Sequence, residues 1–407
     1  MTTFVPRTAA EVADVVRWAM AEGEALEIVA GGTRSALGRP VDAPHRLDMS
    51  GLSGVLSYEP EELVLTVRPG TPLAEVEALL ASRKQHLAFE PPCIDGLREK
   101  DVGTGQGTIG GVVATGFSGP RRPKAGAVRD HVLGIAAVSG RGETFVGGGK
   151  VVKNVTGYDI PKLMTGSHGT LAVFTEITLK VLPAPEETRT LLIEGMSSSQ
   201  AVRAMTEVLQ TAADASGACH LPQDLVLEGK PDDVSVTAFR LEGVRPSVEF
   251  RLARLHDLLA AAGPQRMLEG EASVAFWRGV RDVTPLSGDA NRTLWRLSVP
   301  PAQGAEVLER IEKRIPRSRA MLDWGGGLIW LEPAAAADVS SSLACEEKIR
   351  GAIQEGHAML VRAPADVRRT VNVFHPQPPA LAALSNRVDL QFDPKLVLNP
   401  GRMYSGI

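Results

Sequence analysis

Five consecutive residues, Gly31-Gly32-Thr33-Arg34-Ser35, follow a strand-like run from Leu26 to Ala30 and carry the parts of an anion site. Two glycines let main chain approach a ligand closely. Successive backbone N–H groups in such a turn form a concave nest for oxyanions, to which Thr33 and Ser35 add hydroxyls and Arg34 a positive charge. Gly38, Pro40 and Pro44 follow, so a phosphate would sit between strands rather than on a helix. Taken alone, these five residues read equally well as an ordinary tight turn.

A second run adds specificity. Residues 101–170 hold 17 glycines in 70 positions, roughly 24% where about 7% is usual. Strand-like pieces of Val, Ile and Leu are mixed through the run, which argues against low complexity. Thr108-Ile109-Gly110-Gly111, Ala114-Thr115-Gly116, Ser118-Gly119 and Gly126-Ala127-Val128-Arg129-Asp130 offer small residues for a flat ring system to lie against.

Two better-known phosphate motifs fail on context. Gly105-Gln106-Gly107-Thr108-Ile109-Gly110 matches G-x-G-x-x-G, with Asp130 about 20 residues on. The charged run Leu97 to Asp101 is no buried parallel strand, however. Gly116, Gly119, Pro120 and Pro123 exclude a crossover helix. Gly147-Gly148-Gly149-Lys150 lacks the first Walker glycine, where Thr144 stands, and Val151 replaces the magnesium-binding hydroxyl. It reads as a loop between strands.

The elements that must hold these residues are legible on both sides of them. Thr8-Ala9-Ala10-Glu11 is a capping box, and Val12, Val15, Val16 and Ala19 make one helical face that ends at Gly23. Leu63 to Val67 predicts a strand, and a helix begins near Pro72. From Leu171 to Val181 strict alternation predicts a long strand. Pro183-Ala184-Pro185 marks a boundary. Beyond it come helices over Ala201 to Leu209 and Val248 to Ala262, strands over Val234 to Leu241 and Thr293 to Val299, and a last helix over Leu381 to Phe392. The predicted division is 1–183, 184–380 and 381–407, of α+β class.

Composition narrows the function. Charged residues are 23% and aromatics 4%, with a formal charge of −4. Neither a basic groove nor a stacking platform for nucleic acid is present, so no nucleic-acid partner is expected. No apolar run approaches the ~18 residues of a membrane span, and Glu11, Asp14 and Arg17 interrupt the first apolar segment. A cytoplasmic location follows. The three cysteines, Cys93, Cys219 and Cys345, form no C-x-x-C, so no iron–sulfur or zinc site is expected, and each is read as a small buried hydrophobe.

Taken together, the turn at 31–35, the glycine-rich stretch, Gly157-Tyr158-Asp159, Gly166 to Leu171 and the ending Asn399-Pro400-Gly401-Arg402 resemble the vanillyl-alcohol oxidase and p-cresol methylhydroxylase flavoprotein superfamily. Within it, three stretches are similar to the FAD-binding subunits of bacterial glycolate oxidase. They are Ser118-Gly119-Pro120-Arg121-Arg122 with Gly126 to Asp130, Val152-Lys153-Asn154-Val155-Thr156-Gly157-Tyr158-Asp159, and Phe392-Asp393-Pro394 through Arg402-Met403-Tyr404. The resemblance implies a PCMH-type, two-subdomain FAD-binding domain, then a smaller α+β cap, then a helix and tail packing back on the first domain.

It further implies FAD, with the diphosphate on Gly31, Gly32, Thr33, Arg34 and Ser35. Gly110, Gly111, Ala114, Thr115, Ser118, Gly119 and Gly126 would line the cofactor's path, with Lys153, Asn154, Gly157, Tyr158 and Arg402 contributing and Val173 near the flavin. Thr33 and Arg34 stand where some members carry a flavin-linking His, which implies non-covalent attachment.

Oxidising a 2-hydroxy acid needs a base for the hydroxyl proton, a cation for the carboxylate and a hydride acceptor. Of eight histidines, His45, His86, His220 and His256 read as loop or helix-face residues with surface or core roles, and His168 as packing in a flavin-lining turn. The candidates for substrate contact are His357 and Arg362, at the two ends of a predicted strand, and His375. His357 and Arg362 are five apart and so face opposite sides of a regular strand. No metal is expected, since the closely spaced histidine pair of metal-using relatives is missing. The resemblance implies a sibling FAD-binding catalytic subunit and an iron–sulfur subunit as partners, with any membrane association peripheral and through the complex. Three readings stay open: a catalytic subunit, a non-catalytic assembly or electron-relay subunit, and a stand-alone D-lactate-type dehydrogenase.

Overall fold

The computed structural model describes residues 1–94, 107–149, 157–289, 292–334 and 338–406. Its first helix, Ala9–Glu22, makes half of the expected capping box: the Thr8 hydroxyl accepts from the Glu11 amide, while the Glu11 carboxylate accepts from the Arg7 amide instead of that of Thr8, and Gly23 closes the helix at φ 73°. Val12, Val16 and Ala19 pack this helix on a small parallel sheet, Thr2–Phe4, His45–Asp48 and Leu26–Val29 in that spatial order. A five-stranded antiparallel sheet follows in the order Val55–Glu59, Val64–Val67, Ala172–Lys180, Val132–Ser139, Thr144–Gly148.

The strand Ala172–Lys180 lies inside that sheet with both faces covered, so its alternation does not separate a wet face from a dry one. A register shift opposite Ala136/Ala137 moves its apolar residues between faces. Val173 joins the core under the first helix, while Ala172, Phe174, Ile177 and Leu179 fill the core on the other side.

Beyond Pro183 the chain builds one antiparallel sheet of eight strands. Its order is Gln265–Glu269, Glu187–Glu194, Val236–Gly243, Gly217–Leu221, Arg319–Asp323, Leu328–Glu332, Leu294–Ser298, His357–Arg362. Helices Ser198–Leu209, Arg245–Leu258, Gly304–Arg314 and Val339–Arg350 bury one face. The other face joins Leu37, Ile94 and Phe117 of the first half in a single apolar core, so the sheet is the roof over that half. The last helix, Pro379–Phe392, leads into a tail that returns to the small sheet. Leu26 donates to Val397 O at 2.8 Å, and Leu26 bridges Leu398 in parallel.

Cys219 and Cys345 are buried as expected, but Cys93 is exposed. It sits where the chain leaves Pro92, and its amide donates to Asp282 Oδ1 at 2.8 Å, so here the thiol fills no core. His45, His86 and His220 lie in strands rather than loops or helices, and His220 takes the core role. Among the described residues no helix is long and apolar enough to cross a membrane.

Candidate functional site

The strand Leu26–Val29 ends in the glycine turn, and that turn forms one wall of a cavity. Gly32 stands at φ 72°, a conformation that costs L side chains and that glycine adopts freely. Ser35 folds the turn on itself, its amide and hydroxyl both donating to Gly32 O. Thr33 is 5% exposed, and neither its amide nor its hydroxyl is hydrogen-bonded among the described residues. A buried donor set left open on a cavity wall is what an oxyanion would complete.

The opposite wall is built on the stretch of small residues from Thr108 to Thr115. Ile109–Thr115 is a short helix, N-capped by the Thr108 hydroxyl on the Gly111 amide and closed by Gly116 at φ 66°. Seven residues are too few for a crossover helix, yet enough to put Gly110, Gly111, Ala114 and Thr115 on the cavity. Gly110 is required by packing: a Cβ there would lie 2.8 Å from Pro69 O. Arg34 reaches across, donating to Thr115 Oγ1 at 3.2 Å and to Pro92 O at 2.9 Å.

The tail supplies the floor. Arg402 donates to Ser35 O at 2.7 Å and lies 3.6 Å from Glu27, which fixes the turn from behind. Asn399 accepts from the Ile28 amide and donates to His168 O, both at 2.8 Å, and so ties strand, tail and the turn at 168 together. His168 also lines the cavity. Burial, with Arg402 and Arg34 nearby, pushes its pKa down to about 3, so its ring is neutral. Val173 completes the lining beside Ala172 and Phe174.

The FAD binding domain family matches residues 2–148 of this chain. Glycolate oxidase subunit GlcE of Escherichia coli is 34% identical over 96% of this chain and 95% of its own length. The chain belongs to the GlcE family. Glycolate oxidase subunit GlcD of the same organism is 27% identical over 61% of this chain and 50% of its own length. Among solved structures, p-cresol methylhydroxylase with substrate bound superposes with a TM-score of 0.73 at 12% identity, over 98% of this chain and 88% of that one, which is a likeness of fold.

In this GlcE-family chain the open Thr33 donors, the cations Arg34 and Arg402 and the small-residue wall fit FAD: diphosphate on the turn, flat rings along Gly110, Gly111 and Ala114. Other expected residues stand back from the cavity. Ser118 accepts from the Val128 amide at 3.1 Å, and Gly119 lies so close to Glu90 that a Cβ would meet its carbonyl at 2.5 Å. Gly126 sits at φ 87° against Asp130. These three shape the segment that braces the lining helix. Gly157 adopts φ 84°, and Tyr158 beside it is 89% exposed. Lys153 and Asn154 lie outside the described residues. Gly147 and Gly148, of the rejected Walker-like run, let Ile160 and Leu133 pack against the strand.

The three substrate candidates fall in three environments. Arg362 is buried and fully engaged, donating to Glu332 at 2.7 Å and to Leu286 O and Arg292 O at 2.9 Å. His375 accepts at Nδ1 from Arg350 at 2.9 Å and from the Ala358 amide at 3.2 Å, and so carries no proton on that nitrogen. Its neighbour Phe374 packs edge-on against His168, with ring centres 4.9 Å apart. His357 begins its strand opposite Ser298, on the sheet face turned toward the cofactor half. Sequence reasoning assigned no role at the cavity to Asn399 or to Pro69. The Asn-Pro-Gly run at 399–401 was the available signal for the first.

Proposed function

We propose that this protein is the FAD-carrying GlcE-type subunit of a glycolate-oxidising assembly, acting on a small 2-hydroxy acid and passing electrons to an iron–sulfur partner. The similarity to GlcE along nearly the whole of both chains carries this reading, and the Thr33 amide and hydroxyl on the cavity wall support it. FAD, when bound, supplies the hydride acceptor. The chain's own residues hold it: backbone of Gly31 to Ser35 on the diphosphate, Arg402 bracing that turn, and neutral His168 packing without competing for protons. The relatives are named as subunits, which favours an assembly containing a sibling FAD-binding subunit. Any membrane contact would then be made through the assembly on the cytoplasmic side.

The test is anaerobic addition of glycolate to the isolated chain and to the co-purified assembly while the flavin spectrum is followed. Bleaching in the assembly, with glycolate preferred over D-lactate, supports the proposal. A yellow assembly that stays oxidised with glycolate overturns it.

A further inference from the structure

Where the roof face meets the cofactor half, one arginine from each stands without a carboxylate partner among the described residues. Arg296 projects from the strand Leu294–Ser298, its guanidinium 5.1 Å from the ring centres of both Phe117 and Trp324. Arg122 comes from the cofactor half and stacks on the same indole at 4.3 Å. Trp324 is 6% exposed and anchored by its Nε1–H on Gly119 O at 3.0 Å. Among the described residues neither guanidinium donates a hydrogen bond or meets a carboxylate within ion-pair distance. The contrast with Arg240 and Arg362, whose forks are committed to Glu90 and Glu332, is plain.

Two unneutralised cations held near each other and partly shielded from water are unfavourable unless an anion joins them. Burial, then Arg122, draws the Arg296 pKa down to about 10. The acidic groups facing the pair are Asp323 and Asp130. Asp323 gives one oxygen to the Trp324 amide, and burial pushes its pKa up to about 7, so it is a weak counter-charge. His357 shares the face: Arg296 pairs with Met359, and Ser298, two residues on, with His357. The pair is linked to the cofactor cavity through one core: Phe117 lies two residues past cavity-lining Thr115 and belongs to the same apolar cluster as cavity-lining Leu37.

We propose that Arg122 and Arg296, racked on Trp324, are the receptor for the carboxylate of the 2-hydroxy acid, with His357 next to it. Stacking on an aromatic ring covers the guanidinium plane and leaves its N–H edge free, so the fork is pre-organised for a planar carboxylate. One arginine comes from each half, so the receptor exists only when the roof is seated. This assignment rests on the proposed function and adds to it the groups that recognise the substrate.

The test is calorimetric titration of the FAD-loaded full chain with oxalate, a non-oxidisable dicarboxylate. Arg296→Met and Arg122→Met should each raise Kd at least ~10-fold with FAD content unchanged, since each removes a charge-assisted pair. Arg296→Lys, which keeps the charge and loses the fork, should fall between them and the parent. In the assembly the same variants should raise KM for glycolate more than they lower kcat. Unchanged oxalate affinity in folded, yellow Met variants overturns the receptor, and so does failure of the parent chain to bind oxalate. Should a Met variant lose FAD, the Lys variant decides, because parent-like affinity there would also overturn it. A parent assembly that bleaches with glycolate while the variants keep its KM refutes the receptor alone. An assembly that never bleaches refutes the function, and the oxalate titration still judges the arginines.

Discussion

Glu90 and Arg240 make a two-point ion pair across the boundary between the halves, Nη1 to Oε1 at 2.9 Å and Nη2 to Oε2 at 3.0 Å. Arg121 also meets Glu90, at 2.8 Å, and reaches Glu242, so two carboxylates and two guanidiniums alternate in one buried network. Breaking one member leaves a buried charge uncompensated. Glu90→Gln should therefore destabilise by about 3 kcal/mol, read as a lower denaturant midpoint at pH 7. A change below about 0.5 kcal/mol would show that water reaches the pair.

The same network sets an acid limit. Burial alone would raise the Glu90 and Glu242 carboxyls, but Arg240 and Arg121 outweigh it and hold both below the ordinary 4.5. A depressed folded value means stability fully present above 4.5 and lost as pH falls toward the folded values. Denaturation midpoints should decline steeply below pH 4.5, and Glu90→Gln should flatten that decline.

A second acid-sensitive group acts earlier. His220 is buried with Nδ1 on Thr237 Oγ1 at 3.0 Å, and burial pushes its pKa down from 6.5 to about 4. Its neutral form favours the fold above pH 6.5, and that advantage is lost as pH drops to 4, by up to ~3 kcal/mol. His220→Gln should be less stable at pH 8 yet show a smaller fall in midpoint between pH 6.5 and 4.

Asp323 has the opposite sign. Its raised pKa means it favours the fold below 3.8 and loses that advantage as pH rises through about 7. Asp323→Asn should gain stability relative to the parent at pH 8 and little at pH 4. Equal effects at both pH values would show that the carboxyl ionises normally.

In the cradle, Gly32→Val should abolish FAD retention. A Cβ at Gly32 meets nothing within 4 Å, so the obstacle is the left-handed φ of 72°, which a β-branched residue adopts only with strain. Arg402→Met removes the donor that holds Ser35 O, and should weaken FAD binding ~10-fold or more as one charge-assisted bond is lost. Absorbance at the flavin band after dialysis reads both. A Gly32→Val protein that dialyses fully yellow would show that the turn is not the diphosphate site.

The sequence by itself determined the local pieces, because each is written in neighbouring residues. The Thr8 cap, the stop at Gly23, the nest at 31–35 and the strand from 172 to 180 depend on spacing and on glycine's backbone freedom. What only the tertiary structure decided is where long side chains spend their charge. Arg362 and Arg296 both sit on roof strands and read alike in sequence, yet Glu332, 30 residues away, takes the first, while the second lies against the rings of Phe117 and Trp324. His375 spends its Nδ1 on Arg350 and the Ala358 amide. Such pairings join residues far apart in the chain, and burial then decides whether each charge is neutralised or left open, which no local pattern encodes.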